Sequence, residues 1–442
     1  MRGLILSMAA VLASGAAAAA GPATQPASVP TSALRADIDA MYPDIEKLYL
    51  DLHQNPELSL LEEKTAAKLA ARMTKLGYQV TTKVGGTGVV AVLKNGAGPT
   101  LLIRTDMDAL PVLEQTGLPY ASKVTQKDAV TGDLVPVMHA CGHDVHMASW
   151  IGTATILAKR RDLWKGTLLF VGQPAEERVR GAKAMLKDGL YEKFGKPDVA
   201  LAFHDHDTTP AGTAGTIPGY LAASADSVDL TFFGTGGHGA YPQDAVDPIL
   251  IAARFVVSVQ EVVSREVNPF DQAVITVGSF HGGLKHNIIS DSVKLQLTVR
   301  SYKPEVREKL LAGIERIAKA EALAGRSPKE PEMKIIESTP ALYNDPVLTE
   351  KVMAALGAAI GAENLTRPPA EMGSEDFSEF VNAGVPGVYL QVGAVNPAKY
   401  AGYKAGKLKL PSTHSPFFAP DVEPTLKTGI LAETVAALTL LR

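Results

Sequence analysis

The chain has 442 residues, of which 46% are hydrophobic and 20% charged, with a formal net charge of −4. A single core stops growing near ~250–300 residues, so this length calls for two domains or a bilobed protein. The weak negative charge excludes an electrostatic attraction to nucleic acid or an anionic membrane, and the lone cysteine excludes an intrachain disulfide.

At the N-terminus, Met1-Arg2-Gly3 is a short positive segment, Leu4 to Val11 is apolar, and the small-residue run to Ala20 offers Ala-x-Ala cleavage sites. Residues 1–20 thus follow the pattern of a signal peptide, which predicts a periplasmic or secreted protein. A membrane-spanning helix is the rival reading, but the run is only marginally long and apolar for the ~20 residues required. No cysteine follows it, so lipoprotein anchoring is excluded and no membrane anchor is expected after cleavage. Residues 21–32, rich in Pro, Ala and Ser, read as a loose tail.

Residues 33–226 open with a helical pattern from Leu34 to Gly77, interrupted at Asn55-Pro56. Short apolar runs then predict strands Val89–Leu93, Thr100–Arg104, Gly166–Val171 and Val199–Phe203, alternating with helices Val145–Arg160 and Ala182–Leu190. Such alternation predicts an α/β domain whose mostly parallel sheet is flanked by helices on both faces. Between residues 227 and 338 the order changes. Strand Ser227–Phe233, helix Pro248–Val267, strands Gln272–Phe280 and Ser292–Ser301, helix Pro304–Ala324 and strand Glu332–Ile336 spell a β-α-β-β-α-β, ferredoxin-like α+β unit. Both of its helices open on a proline suited to the first turn. Residues 339–442 resume the larger domain with helices Leu348–Ile360, Phe377–Ala383 and Pro424–Leu441 around strand Val388–Val392. The small unit therefore reads as an insertion.

Candidate chemistry collects at particular places on this map. Cys141 has three of the ten histidines within five residues: His139, His143 and His146. Soft sulfur beside imidazole suits zinc and its neighbours. The rival chemical reading is a cysteine nucleophile activated by His139 or His143, and the bland one is a small buried cysteine. Arg104-Thr-Asp106-Met-Asp108, Gln173-Pro-Ala-Glu176-Glu177 and His204-Asp-His206 each follow a predicted strand. In open α/β sheets the site lies outside the carboxyl ends of strands, so three such groups and the Cys141 cluster point to one place.

Seven segments, in order along nearly the whole chain, carry a resemblance. They are Leu52-His-Gln-Asn-Pro-Glu-Leu58, Arg104-Thr-Asp-Met-Asp-Ala-Leu-Pro111, His139-Ala-Cys-Gly-His-Asp144, Gln173-Pro-Ala-Glu-Glu177, Gly237-His-Gly-Ala-Tyr-Pro242, Gly373-Ser-Glu-Asp-Phe377 and His414-Ser-Pro416. With them the chain resembles the N-acyl-amino-acid amidohydrolases of the hippurate hydrolase and auxin-conjugate hydrolase type, within the di-metal aminoacylase and carboxypeptidase metallopeptidases. The resemblance implies a catalytic α/β domain with the small unit as its lid, and two divalent metal ions per subunit. It places metal ligands on Cys141, His143, Glu177, His204 and His414, with Cys141 bridging the ions, and the general base on Glu176. Zinc is favoured by ligand softness, while manganese, cobalt and nickel are compatible. It gives His238 the steadying of the oxyanion, often across a homodimer formed through the small domain, and Asn287 and Arg300 the grip on a substrate carboxylate. Asp108 and Asp144 are expected to orient ligand imidazoles. His206, two residues beyond His204, competes with it for the metal; the family pattern favours His204. His139 and His146 are expected behind the ligands, and His53 and His286 receive no role.

The implied reaction is hydrolysis of the amide bond of an N-acyl amino acid, N-acetyl, N-benzoyl or similar, to a carboxylate and a free amino acid. Glu176 would take the proton of a metal-activated water and later protonate the departing nitrogen. A di-metal carboxypeptidase or dipeptidase of the same family is the alternative; a dipeptide's α-amino group would call for an acidic partner that the sequence does not identify. A substrate-binding module without catalysis is the alternative from another class. Three features depart from the family pattern: His286-Asn-Ile-Ile-Ser-Asp291 where Phe-Asn-Val-Ile-Pro-Asp is usual, His206, and the lengthened segment Asn396–Leu410. The last two bear on which acyl group fits.

Overall fold

The computed structural model describes residues 29–442; the expected signal peptide and most of the expected tail lie outside the described residues. Helix α1 (Thr31–Gln54) already begins within the stretch expected to be loose, and Val29 packs against the core. The helical pattern breaks at Asn55-Pro56 and restarts as α2 (Glu63–Lys75), since the residue before a proline is pushed out of the helical region. Strands β1 (Gln79–Val84), β2 (Gly88–Asn95) and β3 (Thr100–Asp106) follow. Next come α3 (His143–Lys159), β4 (Gly166–Gln173) and β5 (Val199–Pro210). The expected helix over Ala182–Leu190 is split into Gly181–Lys187 and Leu190–Phe194 by Gly189, which sits at φ +84°.

The chain then leaves this sheet for β6 (Ser224–Phe233), α4 (Pro248–Ser258), β7 (Ala273–Gly282), β8 (Ser292–Ser301), α5 (Pro304–Ala324) and β9 (Glu332–Thr339). These strands pair antiparallel in the order β7-β8-β6-β9, as a β-α-β-β-α-β unit requires. Leu230, Phe232, Phe255, Leu295, Leu310 and Ile314 build a core of its own. The helix expected to run to Val267 ends its α turns earlier and loosens into a π turn over Val262–Glu266. That turn seats Val262 against Gly313 of α5, where a Cβ would come within 2.7 Å of both valine methyls. After β9 the chain returns through α6 (Pro346–Ile360), β10 (Gly387–Val395) and α7 (Val422–Leu440).

The large sheet runs β1-β2-β4-β3-β5-β10, then the short pieces Ala214–Gly215 and Leu365–Thr366. β4, β3, β5 and β10 are parallel neighbours, while β1 and β2 add an antiparallel edge. Alternate side chains serve opposite faces. Leu101, Ile103, Leu201 and Phe203 join the core under α1, α3 and α7, and Leu102, Ala200 and Ala202 join Met185, Phe377 and Phe380 on the other side. With both faces covered, α3 is buried nearly all round, which explains why its sequence after the first turn is mostly apolar or small. The four parallel strands all end at one rim, and the connections after them carry the site.

Candidate metal centre and its cavity

At that rim Cys141, His143, Glu177, His204 and His414 converge. Cys141, His143 and His204 form one group with ligand atoms within 4.8 Å of one another, and Cys141, Glu177 and His414 form a second. Cys141 belongs to both. Its Sγ lies 3.4 Å from His204 Nε2 and 3.3 Å from His414 Nε2. Glu177 Oε1 is 3.8 Å from His143 Nε2 and 3.5 Å from His414 Nε2.

Local backbone explains how one short segment delivers two of these groups. Gly142, between Cys141 and His143, sits at φ +79°, and a Cβ there would lie 2.3 Å from the Asp205 carboxylate. Only glycine fits so close an approach, which leaves Cys141 and His143 free to face the cluster from the start of α3. Glu176 and Glu177 stand in a turn flanked by Ala175 at φ +49° and Val179 at φ +53°, and His414 is itself at φ +66°. Non-glycine residues in the left-handed region mark strain that the surroundings hold in place. The Glu176 and Glu177 N–H groups both donate to the Asp108 carboxylate at 3.1 Å. The Ala175 N–H donates to Glu62 at 2.8 Å, and the His414 N–H donates to the Ala140 carbonyl at 2.7 Å.

The imidazoles are aimed in the same way. His143 Nδ1 donates to the Asp108 carbonyl at 2.7 Å, and His204 Nδ1 to the Asp205 carbonyl at 2.6 Å. That fixes both rings with Nε2 toward the cluster, the arrangement that prepares a histidine for a metal. His146 lies behind them, its Nδ1 2.7 Å from Asp106, and Asp106 in turn accepts from the fully buried Arg104 at 2.7 Å. Arg104 also meets Glu375 at 2.8 Å and Asp376 at 3.2 Å, so its charge is compensated in the interior.

The cluster has the donor set and the charge deficit of a cation site. His143 Nε2 and Glu177 Oε1 are buried without a hydrogen-bond partner, which is costly unless something takes their lone pairs. Burial and the neighbouring carboxylates push the Cys141 thiol and the Glu176 carboxyl well above their usual ranges. Burial, with Asp108 adding repulsion against the pull of His143, puts Glu177 at about 7. Divalent cations reverse this logic, deprotonating a coordinating thiol outright. The residues present therefore fit a pair of divalent ions.

Sequence expectations meet the geometry unevenly. His206 does not join the cluster; its Nε2 donates to Glu371 at 2.7 Å. Asp108 orients His143, but through its backbone carbonyl. Asp144 departs from expectation: its carboxylate lies 2.6 Å from His53 Nδ1 and touches no ligand imidazole. Adjacent helical positions are about 100° apart, so with His143 facing the cluster Asp144 must face elsewhere. His53, which had no role, is buried between Asp144 and Glu114; burial opposes its charge, but these two acids raise it to about 10. His139 is buried with both ring nitrogens unpartnered, and burial lowers it to about 4. Asp106 closes β3 two residues before Asp108 and Asp205 lies between His204 and His206, so both were legible in the sequence; Glu62 sits in a loop and gives no signal there.

A cavity of about 540 Å³ opens onto the cluster, with Arg300, Ala225, Ser227 and Glu337 of the small domain among its opposite lining. Arg300 is half-buried and held by the Met372 carbonyl at 3.0 Å. His238 and Asn287 do not line this cavity. They meet each other instead: Gly237–His238 pairs with Ile288–Ile289, and the Gly239 N–H donates to the Asn287 carbonyl at 2.8 Å.

Residues 102–412 match the sequence profile of peptidase family M20/M25/M40. The chain belongs to this family. It is therefore a metallohydrolase of linear amide bonds. Thermostable carboxypeptidase 2 of Saccharolobus solfataricus is 34% identical over 410 residues, covering 92% of this chain and 97% of the relative. Hippurate hydrolase of Campylobacter jejuni is 37% identical over 346 residues, covering 76% and 85%. Among solved structures, a Bacillus subtilis protein described as a dinuclear metal binding peptidase from M20 family superposes with a TM-score of 0.72 at 28% identity, covering 91% of this chain and 100% of that one. The fold is that of a family that includes a dinuclear metal binding member.

Proposed function

We propose that the protein hydrolyses the amide bond of N-acyl amino acids, releasing a carboxylate and a free amino acid. The observation that carries this reading is the convergence on one cavity of two ligand groups sharing Cys141, a further carboxylate at Glu176, and the Arg300 guanidinium. Cys141, His143, Glu177, His204 and His414 would hold two divalent ions, zinc first by softness, with manganese, cobalt or nickel fitting the same donors. Such a pair supplies Lewis-acid charge that polarises an amide carbonyl and acidifies a water.

The chain's own residues do the rest. Glu176, 3.8 Å from the ligand His143, takes the proton of the attacking water and returns it to the leaving nitrogen. Arg300 presents the unheld part of its fork to the substrate carboxylate, fixing the scissile bond over the cluster. His238 and Asn287 act from the partner subunit of a homodimer formed through the small domain; their distance from their own cavity supports that arrangement. His238 donates a hydrogen bond to the developing oxyanion. Residues 1–20 direct the chain to the periplasm or medium, which cell fractionation and N-terminal sequencing of the mature protein would check.

The test is a Glu176→Gln variant assayed for metal content and for turnover of N-acetyl and N-benzoyl amino acids. It should retain both ions and lose about a thousandfold in kcat. Substantial remaining turnover removes Glu176 as the base. Protection of Cys141 from alkylation by bound metal, together with loss of activity on chelation, separates this reading from a cysteine hydrolase.

A further inference from the structure

We infer that Glu371, His206 and Gln391 form an ammonium-binding subsite, so that the preferred acyl group carries a free amine, as the first residue of a dipeptide does. This rests on the amide-hydrolase reading of the same cavity. All three residues line that cavity. Gln391 of β10 is the direct register partner of His204 on β5, and neighbouring strands are about 4.8 Å apart. The α-ammonium of a dipeptide sits on the carbon next to the scissile carbonyl, so a group that binds it must stand beside a metal ligand. Gln391 does so, and His206 follows His204 by two residues on the same strand face.

The hydrogen bonds define the charge of this wall. His206 Nδ1 accepts from the Thr208 N–H at 3.3 Å, so the ring proton is on Nε2 and is donated to Glu371 Oε1 at 2.7 Å. The Glu371 side chain is 45% exposed, and His206 is its hydrogen-bond partner; no lysine or arginine forms an ion pair with it among the described residues. Its backbone is anchored on both sides, the N–H donating to the Leu221 carbonyl at 2.8 Å and the carbonyl accepting from Ala223 at 3.1 Å. The carboxylate is thus presented from a rigid segment.

Gln391 supplies the independent sign of a missing donor. It is 8% exposed, and its Oε1 has no hydrogen-bond partner. A buried amide oxygen needs a donor, and an ammonium brings three, together with the charge that Glu371 lacks opposite it. An acetyl or benzoyl group brings neither, and displaces water from both acceptors. The sequence held no acidic partner that could be recognised for an α-amino group, because Glu371 is 167 positions from His204 in the chain and becomes its neighbour only through the β5–β10 pairing and the Leu221–Ala223 anchor.

The experiment is calorimetric binding to the Glu176→Gln protein reconstituted with zinc, using matched glycyl and N-acetyl derivatives of a panel of amino acids. The glycyl member of a pair should bind roughly ten- to a hundredfold tighter, the span of a charge-assisted hydrogen bond, and Glu371→Gln should bring the two affinities together. Equal affinities, tighter acetyl binding, no binding of any glycyl derivative, or a ratio unchanged in Glu371→Gln overturns the subsite. Turnover by the unmutated enzyme on the same panel keeps the two readings apart. Hydrolysis of acetyl derivatives with no glycyl preference sinks the subsite alone. Tight glycyl binding without hydrolysis of any compound sinks the hydrolase reading and retains the subsite.

Discussion

The rim of the large sheet and the small antiparallel domain hold their candidate residues in opposite ways. At the rim, Cys141 and His143 are buried and Glu177 is partly buried, the Glu177 N–H donates to Asp108 and the nearby Ala175 N–H to Glu62, and two of the polar side-chain atoms lack partners. In the small domain His238 is exposed, its Nδ1 merely accepts from the Ala240 N–H at 3.0 Å, and of His238, Asn287 and Arg300 only Arg300 lines the cavity. The first region is preorganised for ligands within one chain. The second keeps its polar groups satisfied or solvated. The chain by itself therefore brings Cys141, His143, Glu177 and His204 together, and leaves His238 outside the cavity they face.

The sharpest way to break that contrast is His238→Ala. Loss of one oxyanion donor should lower kcat by about a hundred- to a thousandfold, with metal content unchanged. Mixing it with Glu176→Gln should then restore about a quarter of wild-type activity, because half of the random dimers are mixed and each has one intact site. No recovery on mixing would place His238 in its own subunit's site. A smaller effect is expected at Arg300→Ala. KM for carboxylate-bearing substrates should rise about ten- to a hundredfold, while the corresponding amides, lacking the charge, should change little. An equal effect on both would make Arg300 a structural contact of the Met372 loop.

The smallest effect concerns stability at the rim. His53 has a folded pKa of about 10, because Asp144 and Glu114 outweigh burial, against an unfolded value near ~6.5. Its contribution is present in full below that unfolded value and is lost as pH rises through about 10. Urea unfolding with metal bound should show about 2 kcal/mol less stability at pH 10 than at pH 6 from this group. His53→Gln should be weakened at pH 6 and lack that decline. A variant that keeps the same slope would assign the pH dependence to other groups.

How far the sequence could be read varies along the chain for physical reasons. β3, β4, β5 and β10 are buried on both faces, so they are apolar runs that stand out at once. β1 was passed over because Gln79-Val-Thr-Thr-Lys-Val84 is an exposed edge strand with no apolar side to show. Cys141, His143, Glu177 and His204 stand out in the sequence because each follows a strand end or opens a helix, where a polar side chain is local to its element. Asp144 turns to His53 rather than to the cluster because a helix turn of about 100° separates it from His143, its neighbour in sequence.

By itself the sequence determined the α/β class, the inserted β-α-β-β-α-β unit and the residue types of the centre, since these depend on periodicity and local chemistry. Tertiary structure alone brought His204 beside Cys141 and His206 onto Glu371, paired His53 with Asp144, surrounded Arg104 with three carboxylates, and set Glu371 and Gln391 on one wall. Those outcomes depend on which strands become neighbours and which way a side chain then faces. Strand pairing is settled by burial of whole faces, far from the residues whose chemistry it brings together.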